Sequence, residues 1–228
     1  MNRPFIFINS AISADGKLST KERKQIRISG KLDFERMDDL RSHADAVMVG
    51  IGTILSDDPS LTVKSPVRKA VRKAMGKNEN PARIIVDSTA RTPLNANIFK
   101  TGDGIRIIAV SNAAPVENVK KLEKMAIVIK TESNKVDLPE LVGKLKKMGI
   151  NILMVEGGAT LNWGMLSAGL VDEIYTFVGN IIIGGAISPT FADGEGFLEA
   201  ELLELELLSM EKIENGVLLK WKVKGNRK

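Results

Sequence analysis

The residues best suited to chemistry lie in four short segments, of which the first reads VEGGATLNW at residues 155–163. A carboxylate, Glu156, precedes Gly157 and Gly158, and a helical pattern follows. Glycine lets the backbone approach a ligand closely, and the free N–H groups at a helix start attract phosphate. The segment favours an anion-binding turn beside an acid, although a tight strand-to-helix turn without a ligand fits the same pattern. It is not the dinucleotide fingerprint G-x-G-x-x-G.

The second segment, residues 49–62, places Gly50 and Thr53 at the end of an apolar run, with Asp57 and Asp58 shortly after it. Two adjacent carboxylates could hold a metal ion, but no third ligand is spaced to complete such a site. Aspartates in a loop of this kind commonly bond to backbone N–H groups instead. We therefore expect no metal here.

The third segment, residues 86–94, delivers Asp87, Ser88 and Arg91 at the end of another apolar run. Serine and arginine at the carboxyl end of a strand suit a monophosphate such as the 2′-phosphate of NADP, and a capped loop with a surface arginine is the alternative. The fourth segment, SADGK, places Lys17 in a turn, where a lone lysine is usually just solvated.

The elements that must position these residues alternate between strand and helix patterns. Apolar, β-branched runs predict strands, and amphipathic runs between them predict helices, at 5–8, 45–50, 82–87, 105–110, 126–130, 151–155 and 173–177 for strands and 34–43, 116–125, 138–148 and 160–168 for helices. This alternation is typical of an α/β fold with a mostly parallel sheet flanked by helices. In such a sheet the carboxyl ends of the strands form the ligand-binding edge, where these segments lie.

The end of the chain differs from the rest. Residues 203–207 and 217–223 show the alternation of apolar and polar residues expected of strands, with Asn215-Gly216 between them as a hairpin signal. We therefore expect a C-terminal antiparallel hairpin on the parallel sheet. With no linker or repeat in sight, residues 1–228 are predicted to form a single domain.

Composition excludes several classes of site. The 228 residues include no cysteine and one histidine, which removes disulfides and thiolates and disfavours a multi-histidine metal site or a Ser-His-Asp triad. The net charge is +5, and much of the excess lies in a basic run at 64–77, interpreted as a solvated surface insertion. Only 4% of residues are aromatic, so a nucleic-acid surface is weakly supported. No run approaches the ~20 apolar residues that span a bilayer, so a cytoplasmic protein is expected. Four methionines are expected to fill the core: Met125, Met148, Met154 and Met165.

The motifs as a set resemble the riboflavin-biosynthesis reductases, in particular the stand-alone archaeal type related to the reductase half of the bacterial deaminase-reductase. The resemblance runs from about Phe5 to Lys224 and rests on these stretches: SADGKL, VMVGIGTILSDDPSLTV, RIIVDSTARTPL, VEGGATLNWGML and IIIGGAISPTFADGEGF. It implies a dihydrofolate-reductase-like fold and a homodimer. It also implies NADPH-dependent reduction of 2,5-diamino-6-ribosylamino-4(3H)-pyrimidinone 5′-phosphate to its ribitylamino form, with NADH as an alternative donor.

The resemblance also assigns roles by position. It implies cofactor contacts at Thr53, Asp57, Ser88, Gly157, Gly158, Ala159, Thr160, Leu161 and Asn162. The monophosphate argument given above adds Arg91 to these contacts. Substrate contacts are implied at Arg41, Leu61, Lys64 and Glu156, with Lys17 near the substrate and the nicotinamide. The sequence departs from the family in having Lys64 where bacterial members carry arginine, Gln25 where serine is common, and a longer segment at 64–80.

The chemistry implied is hydride transfer to ribose C1′ of an imine formed when the ribosylamine opens. Glu156 and Lys17 are the candidates for supplying a proton or stabilising the iminium ion. Glu156 as a residue that only positions the substrate, and Lys17 as an ordinary binding residue, are the alternatives.

Other functions remain open at this point. The substrate could be the deaminated 5-amino-6-ribosylaminouracil 5′-phosphate, or the chain could be a pteridine or folate reductase on the same fold. A nucleotide-binding regulatory module and an RNA-binding protein using the basic segment at 64–77 are the alternatives from other classes.

Overall fold

The computed structural model describes residues 2–24 and 26–224, so the departure at Gln25 lies outside the described residues. Its helices and strands follow in this order: β1 (Phe5–Ile12), α1 (Lys31–His43), β2 (Ala46–Gly50), α2 (Ile51–Asp57), α3 (Pro66–Ala74), β3 (Ala82–Val86), α4 (Asn97–Lys100), β4 (Arg106–Val110), α5 (Val116–Leu122), β5 (Ile127–Lys130), α6 (Leu138–Lys147), β6 (Ile152–Val155), α7 (Ala159–Ser167), β7 (Glu173–Val178), a 3-10 turn (Glu199–Glu201), β8 (Leu205–Ile213) and β9 (Gly216–Val223).

The nine strands follow the sheet order β5-β4-β3-β2-β6-β1-β7-β9-β8. The chain divides into two compact units, and both α1 and β6 cross the boundary between them. The first unit comprises Met1–Pro4 and Asp38–Met154, and the second comprises Phe5–Met37 and Val155–Lys228.

The first unit is built on parallel pairing of β2 with β3, β3 with β4 and β4 with β5. Met48 lies opposite Ile84, and Ile84 opposite Ile107, and all three side chains are at most 1% exposed. Such runs of buried β-branched and aliphatic residues are typical of parallel strands that are covered on both faces.

The second unit combines a parallel pair, β1 with β7, and an antiparallel hairpin, β8 with β9, in which β9 pairs with β7. The predicted architecture, a mostly parallel α/β sheet with a C-terminal antiparallel hairpin, is therefore confirmed.

The hairpin turn lies one residue earlier than the Asn-Gly signal suggests. Ile213 pairs with Gly216, so the two loop residues are Glu214 and Asn215, with a φ of 51° at Glu214. Glycine is required at position 216 for a different reason, since a Cβ there would lie 2.3 Å from the Phe177 ring and 2.6 Å from a backbone oxygen. The glycine therefore permits close strand packing rather than the turn itself.

The structure departs from the sequence prediction in its short helices and in the burial of two methionines. The short helices α2 and α4 were not predicted, because both are too brief to show a helical period. The core prediction for methionines is correct for Met154 and Met165, which are fully buried, and wrong for Met125 and Met148, which are each 42% exposed. Met148 caps the end of α6, where the helix has left the core.

Candidate active site

A glycine turn, residues 156–158, connects β6 to α7 and lies in the second unit. Gly157 has a φ of 91° and Gly158 a φ of 96°, a region that side-chain-bearing residues rarely adopt. Gly158 is the N-cap of α7, and because glycine has no side chain it offers no capping oxygen to the first-turn N–H groups. Those groups and the positive end of the helix dipole suit an anion.

Hydrogen bonds to residues 191–193 hold the start of α7 in place. Asn162 is fully buried, and its Nδ2 donates to the Phe191 carbonyl at 2.8 Å, while Asp193 N donates to the Ala159 carbonyl at 3.1 Å. Within the described residues the Asn162 Oδ1 has no hydrogen-bond partner. Ala159 and Leu161 are buried, so only their main chain could meet a ligand, whereas Thr160 is exposed.

Lys17, also in the second unit, is held by a turn that follows β1. Ser13 N donates to the Lys17 carbonyl at 2.9 Å, Lys17 N donates to Ser13 Oγ at 2.9 Å, and Lys17 Nζ donates to the Ser188 carbonyl at 3.2 Å. The lysine is therefore held at both its main chain and its amine, rather than solvated in a mobile turn.

Asp15 completes this turn. Its carboxylate accepts from Ser13 Oγ at 2.6 Å, from Ile183 N at 3.0 Å and from Gly184 N at 2.7 Å. The hydrogen bonds, that from Ser13 foremost, lower the pKa of Asp15 from 3.8 to about 2. One carboxylate thus ties the Lys17 turn to residues 183–184.

Cations gather in the first unit in a segment that we call the cationic segment, residues 60–68, together with Arg41 of α1. Arg41 is 7% exposed and donates to the Thr62 carbonyl at 3.2 Å. Lys64 Nζ donates to Ser60 Oγ and to Thr62 Oγ1, both at 2.8 Å. Desolvation, and then repulsion by Arg41 and Lys69, lower the pKa of Lys64. Two neighbouring cations and two hydroxyls form a group suited to a phosphate.

Leu61 lies between these hydroxyls with its side chain 2% exposed and a φ of 53°. Because the side chain is buried in the core, any ligand contact at this position comes from the main chain. A non-glycine residue at positive φ is a local strain that surrounding packing must maintain.

Thr53 and Asp57 lie one turn apart on α2, which begins directly after β2, so the two side chains share one helix face. Burial raises the pKa of Asp57, because desolvation disfavours the carboxylate. The adjacent Asp58 ends α2 with a φ of 42°, and its Oδ1 accepts from Asn97 N at 2.8 Å, which is the backbone-bonded loop that the sequence favoured. In the described part of the chain, no group of three histidines or carboxylates is placed to hold a metal ion.

Asp87, Ser88 and Arg91 follow β3. Asp87 is fully buried and its Oδ2 accepts from the N and Oγ1 atoms of Thr92 at 2.7 and 2.8 Å, so this carboxylate caps its own loop. Arg91, with a side chain 58% exposed, has its Nε 3.9 Å from Asp87 Oδ1. Ser88 Oγ accepts from Val136 N at 3.0 Å, which leaves the hydroxyl hydrogen to donate.

The structure thus brings the predicted residues together in groups: Arg41 with Lys64, Thr53 with Asp57, and the run from Glu156 to Asn162. Sequence reasoning missed Ser60 and Thr62, although their spacing with Lys64 is a signal. In a regular extended segment, residues 60, 62 and 64 would project to the same side, whereas the φ of 53° at Leu61 interrupts that alternation here. It also missed Asp15 and Ser188, for which no local pattern exists.

The sequence matches the family described as the RibD C-terminal domain over residues 4–219. A 2,5-diamino-6-ribosylamino-4(3H)-pyrimidinone 5′-phosphate reductase from Archaeoglobus fulgidus is 45% identical over 214 residues, which cover 94% of this chain and 95% of the relative. The protein of the same name from Methanothermobacter thermautotrophicus is 40% identical over 224 residues, which cover 98% and 100%.

Solved structures agree in fold. A pyrimidine reductase-like protein from Corynebacterium diphtheriae superposes with a TM-score of 0.83 at 19% identity, covering 99% of this chain and 94% of that one. The riboflavin biosynthesis reductase Rib7 of Saccharomyces cerevisiae gives 0.75 at 21% identity, covering 98% and 91%. The family resemblance seen in the sequence is confirmed, and the chain belongs to the RibD C-terminal domain family.

Proposed function

We propose that this chain is an NADPH-dependent reductase of riboflavin biosynthesis. It reduces the ribosyl side chain of 2,5-diamino-6-ribosylamino-4(3H)-pyrimidinone 5′-phosphate to the ribityl form, by hydride transfer to C1′. The observation that carries this proposal is the 45% identity, over nearly the full length of both chains, to a reductase named for that substrate. The whole chain, residues 1–228, acts as one reductase domain.

The 5′-phosphate of the substrate has a suitable partner in the cationic segment. Arg41 and Lys64 supply two positive charges, and Ser60 and Thr62 supply hydroxyls beside the Lys64 amine. An anion placed there relieves the repulsion by Arg41 and Lys69 that adds to desolvation in lowering the pKa of Lys64. A phosphorylated ligand is therefore favoured over its dephosphorylated form.

The glycine turn fits the cofactor's pyrophosphate. Its two positive-φ glycines, of which Gly158 precedes the first helical turn, let a diphosphate approach the α7 N–H groups. Thr53 and Asp57 are assigned to hold the cofactor by hydrogen bonds, and Ser88 and Arg91 to bind the 2′-phosphate. The exposed Arg91 side chain beside a buried carboxylate supports a preference for NADPH over NADH, because a phosphate competes well for an arginine.

Reduction of the imine needs a hydride at C1′, which bound NADPH would supply, and a proton on the imine nitrogen. Glu156, at the end of β6, stabilises the positive charge of the iminium ion electrostatically and accepts hydrogen bonds from the ribose hydroxyls. Lys17, fixed through the Ser188 carbonyl, binds the substrate and is the proton source. Alignment of the reacting atoms supplies much of the remaining acceleration.

The test is NADPH oxidation, followed with the diamino substrate and separately with the deaminated amino-oxo substrate. We expect turnover of the diamino compound, whereas exclusive turnover of the amino-oxo compound would move the function to the alternative substrate. No turnover of either would overturn the proposal. Glu156→Gln, assayed in parallel, should lower kcat by roughly 100-fold, and full retention of kcat would limit Glu156 to positioning.

A homodimer completes the proposal and is supported by the apolar surface of the strand β8. Leu207 is 48% and Met210 70% exposed, and β8 is the last strand in the sheet order. An exposed apolar edge strand favours pairing with a second copy. Cytoplasmic localisation is proposed on the absence of cysteine from the sequence, as is usual for a reducing compartment.

Neither nucleic acid nor membrane is part of the proposal. The basic run is neutralised in part by its own neighbours, since Arg68 contacts Asp38 and Asp39 and Lys77 Nζ donates to Asp45 at 2.7 Å. Over the described residues, the helices are all too short or too polar to meet the requirements for crossing a bilayer.

A further inference from the structure

We infer that Asp38 and Arg68 are positioning residues for Lys64, and that the helix α3 is the support that holds this lysine in the phosphate site. The inference rests on the proposed function, because it assigns a task to residues around the site proposed for the substrate's 5′-phosphate. Neither residue was singled out as part of the site by the sequence.

Asp38 is the centre of the arrangement. It is 5% exposed, and its Oδ1 accepts from Lys64 N at 2.5 Å while its Oδ2 accepts from Ser65 N at 3.1 Å. The same Oδ2 accepts from Arg68 Nη1 at 3.0 Å. A single buried carboxylate thus holds the main chain of Lys64 and the residue after it, and Arg68 supplies the charge that makes its burial tolerable.

Arg68 is itself fixed from two sides. Its Nε donates to Asp39 Oδ1 at 3.1 Å, and its main-chain N lies 3.4 Å from the Oγ of Ser65, the N-cap of α3. The guanidinium therefore bridges two adjacent carboxylates of α1, in the fork geometry that arginine allows and lysine does not.

The rest of α3 is attached in the same unusual way, through an arginine instead of through apolar residues. Arg72 is 3% exposed and its Nη1 donates to the carbonyls of Ser42 and Ala44, both at 2.8 Å. By contrast, Val67 and Met75 are 73% and 67% exposed. The helix is docked by its charged face, so its position depends on arginine contacts.

The consequence for the site follows from the spacing on α1. Asp38 and Arg41 are three residues apart and lie on the same side of that helix. Asp38 therefore fixes Lys64 relative to Arg41, although the two cations repel each other. Without this tie, Lys64 would move away from Arg41, and the pair would no longer converge on one phosphate.

The test is steady-state kinetics of Arg68→Met with NADPH and the phosphorylated substrate. We expect the KM for this substrate to rise roughly tenfold, with kcat and the KM for NADPH changed less than about twofold. Lys73→Met is the matched control, since the exposed Lys73 lies on the same helix and its Nζ contacts only the partly buried Glu79 among the ion pairs of the described chain. The control should leave all three constants unchanged.

A double-mutant cycle separates positioning from general destabilisation. Lys64→Met removes the group that Arg68 is inferred to place, so Arg68→Met should add little to the KM once Lys64 is gone. An equal rise in KM in both backgrounds would overturn the inference. So would an equal rise with the dephosphorylated substrate, because the effect would then not pass through the phosphate.

Arg68→Met leaves Asp38 without its charge partner, so thermal unfolding of each variant is recorded alongside. If that variant is not folded, Arg68→Lys carries the test, because it keeps the charge and loses the fork to Asp38 and Asp39. Its KM should rise roughly threefold, and a KM equal to wild type would overturn the inference. Failure of the wild-type chain to oxidise NADPH would contradict the proposed function instead, which keeps the two failures distinguishable.

Discussion

The glycine turn and the cationic segment are both proposed to bind phosphate groups, and they are built by opposite means. In the turn, Gly157 and Gly158 let a phosphate approach the backbone N–H groups at the start of α7, and no charged side chain is needed for binding. In the cationic segment, Lys64 supplies the charge, and its main chain is held by the Asp38 carboxylate, which Arg68 pairs in turn.

This difference determines which substitutions each region should tolerate. A site made of backbone N–H groups depends on φ angles and on the space next to Cα, but its charge does not change with pH. A site made of side-chain charges tolerates small changes in backbone shape, but it depends on the protonation of its members. Substitutions that act on only one of these properties can therefore separate the two regions.

The largest effect is expected for Gly158→Ala in the glycine turn. At a φ of 96° an alanine costs about 1–3 kcal/mol, and relief of this strain would rotate the α7 N–H groups away from the pyrophosphate. We expect the Kd for NADPH, measured by quenching of tryptophan fluorescence, to which Trp163 in α7 contributes, to rise by at least roughly tenfold.

Gly143→Ala in α6 is the matched control. Gly143 lies inside the helix and an added Cβ would meet nothing within 4 Å. The same substitution there should stabilise the protein by about 0.4–1 kcal/mol and leave the Kd for NADPH unchanged. If both alanines behaved alike in thermal unfolding and cofactor titration, the backbone argument for the turn would fail.

The next largest effect is expected for Asp57→Asn, which should weaken cofactor binding and increase stability. The raised pKa of Asp57 means that the folded state disfavours its charge. For a raised acid, the stabilising contribution is present below the unfolded pKa and is lost as the pH rises through the folded pKa. At neutral pH the neutral amide should therefore raise Tm, while the Kd for NADPH rises roughly tenfold through the lost charge.

Asp57→Asn sharpens the comparison because the glycine substitution should lose stability and binding together. Calorimetry and cofactor titration of both variants measure the two quantities. A lower Tm with an unchanged Kd for Asp57→Asn would contradict the assignment of this carboxylate to the cofactor.

A smaller effect, visible only in its pH dependence, is expected for Lys64→Arg. Because the pKa of Lys64 is lowered, its charge should be lost at a pH below the ordinary lysine value of 10.5. The KM for the phosphorylated substrate should therefore rise before the pH reaches 10.5, and arginine, which stays charged, should delay that rise. Identical pH profiles of KM for the two proteins would remove Lys64 from the phosphate site.

The smallest effect is expected for Asp15→Asn, which concerns a turn that combines both means, since a charged side chain binds backbone N–H groups there. With a folded pKa of about 2 against 3.8, its stabilising contribution is present above about pH 4 and is lost as the pH falls to about 2. Asp15→Asn should lower Tm slightly at neutral pH. The difference from wild type, followed by thermal unfolding, should disappear in acid, and a difference that persists at low pH would refute the role of the charge.

The strands and the long helices could be predicted because their patterns are local. The runs that became β3 and β4 are almost wholly apolar and β-branched, and α6 shows a clear helical period with Gly149 beyond its end. The Asn-Gly signal predicted the hairpin but not the turn residues. Glycine at 216 is required by the close packing of Phe177, which lies 39 positions away in the sequence.

The site was predictable in proportion to how local its parts are. The glycine turn follows from strand, glycines and helix within nine residues. Arg41 and Lys64 entered only through the family resemblance, because a single cation carries no signal of its own. Asp38 and Arg68 could not be predicted, since the hydrogen bonds that give them meaning join residues 26 and 30 positions apart.

The two ends of the segment that carries α3 lie next to each other in the first unit. Val63 N donates to Asn80 Oδ1 at 2.9 Å, so the residues between them form an excursion with its two ends joined. Such a closed excursion allows the chain to be lengthened or cut at its tip without moving β2 or β3. The exposed turn at Gly76, beyond both Arg68 and Arg72, is therefore the position of choice for inserting a reporter domain or for placing new termini in a circular permutant.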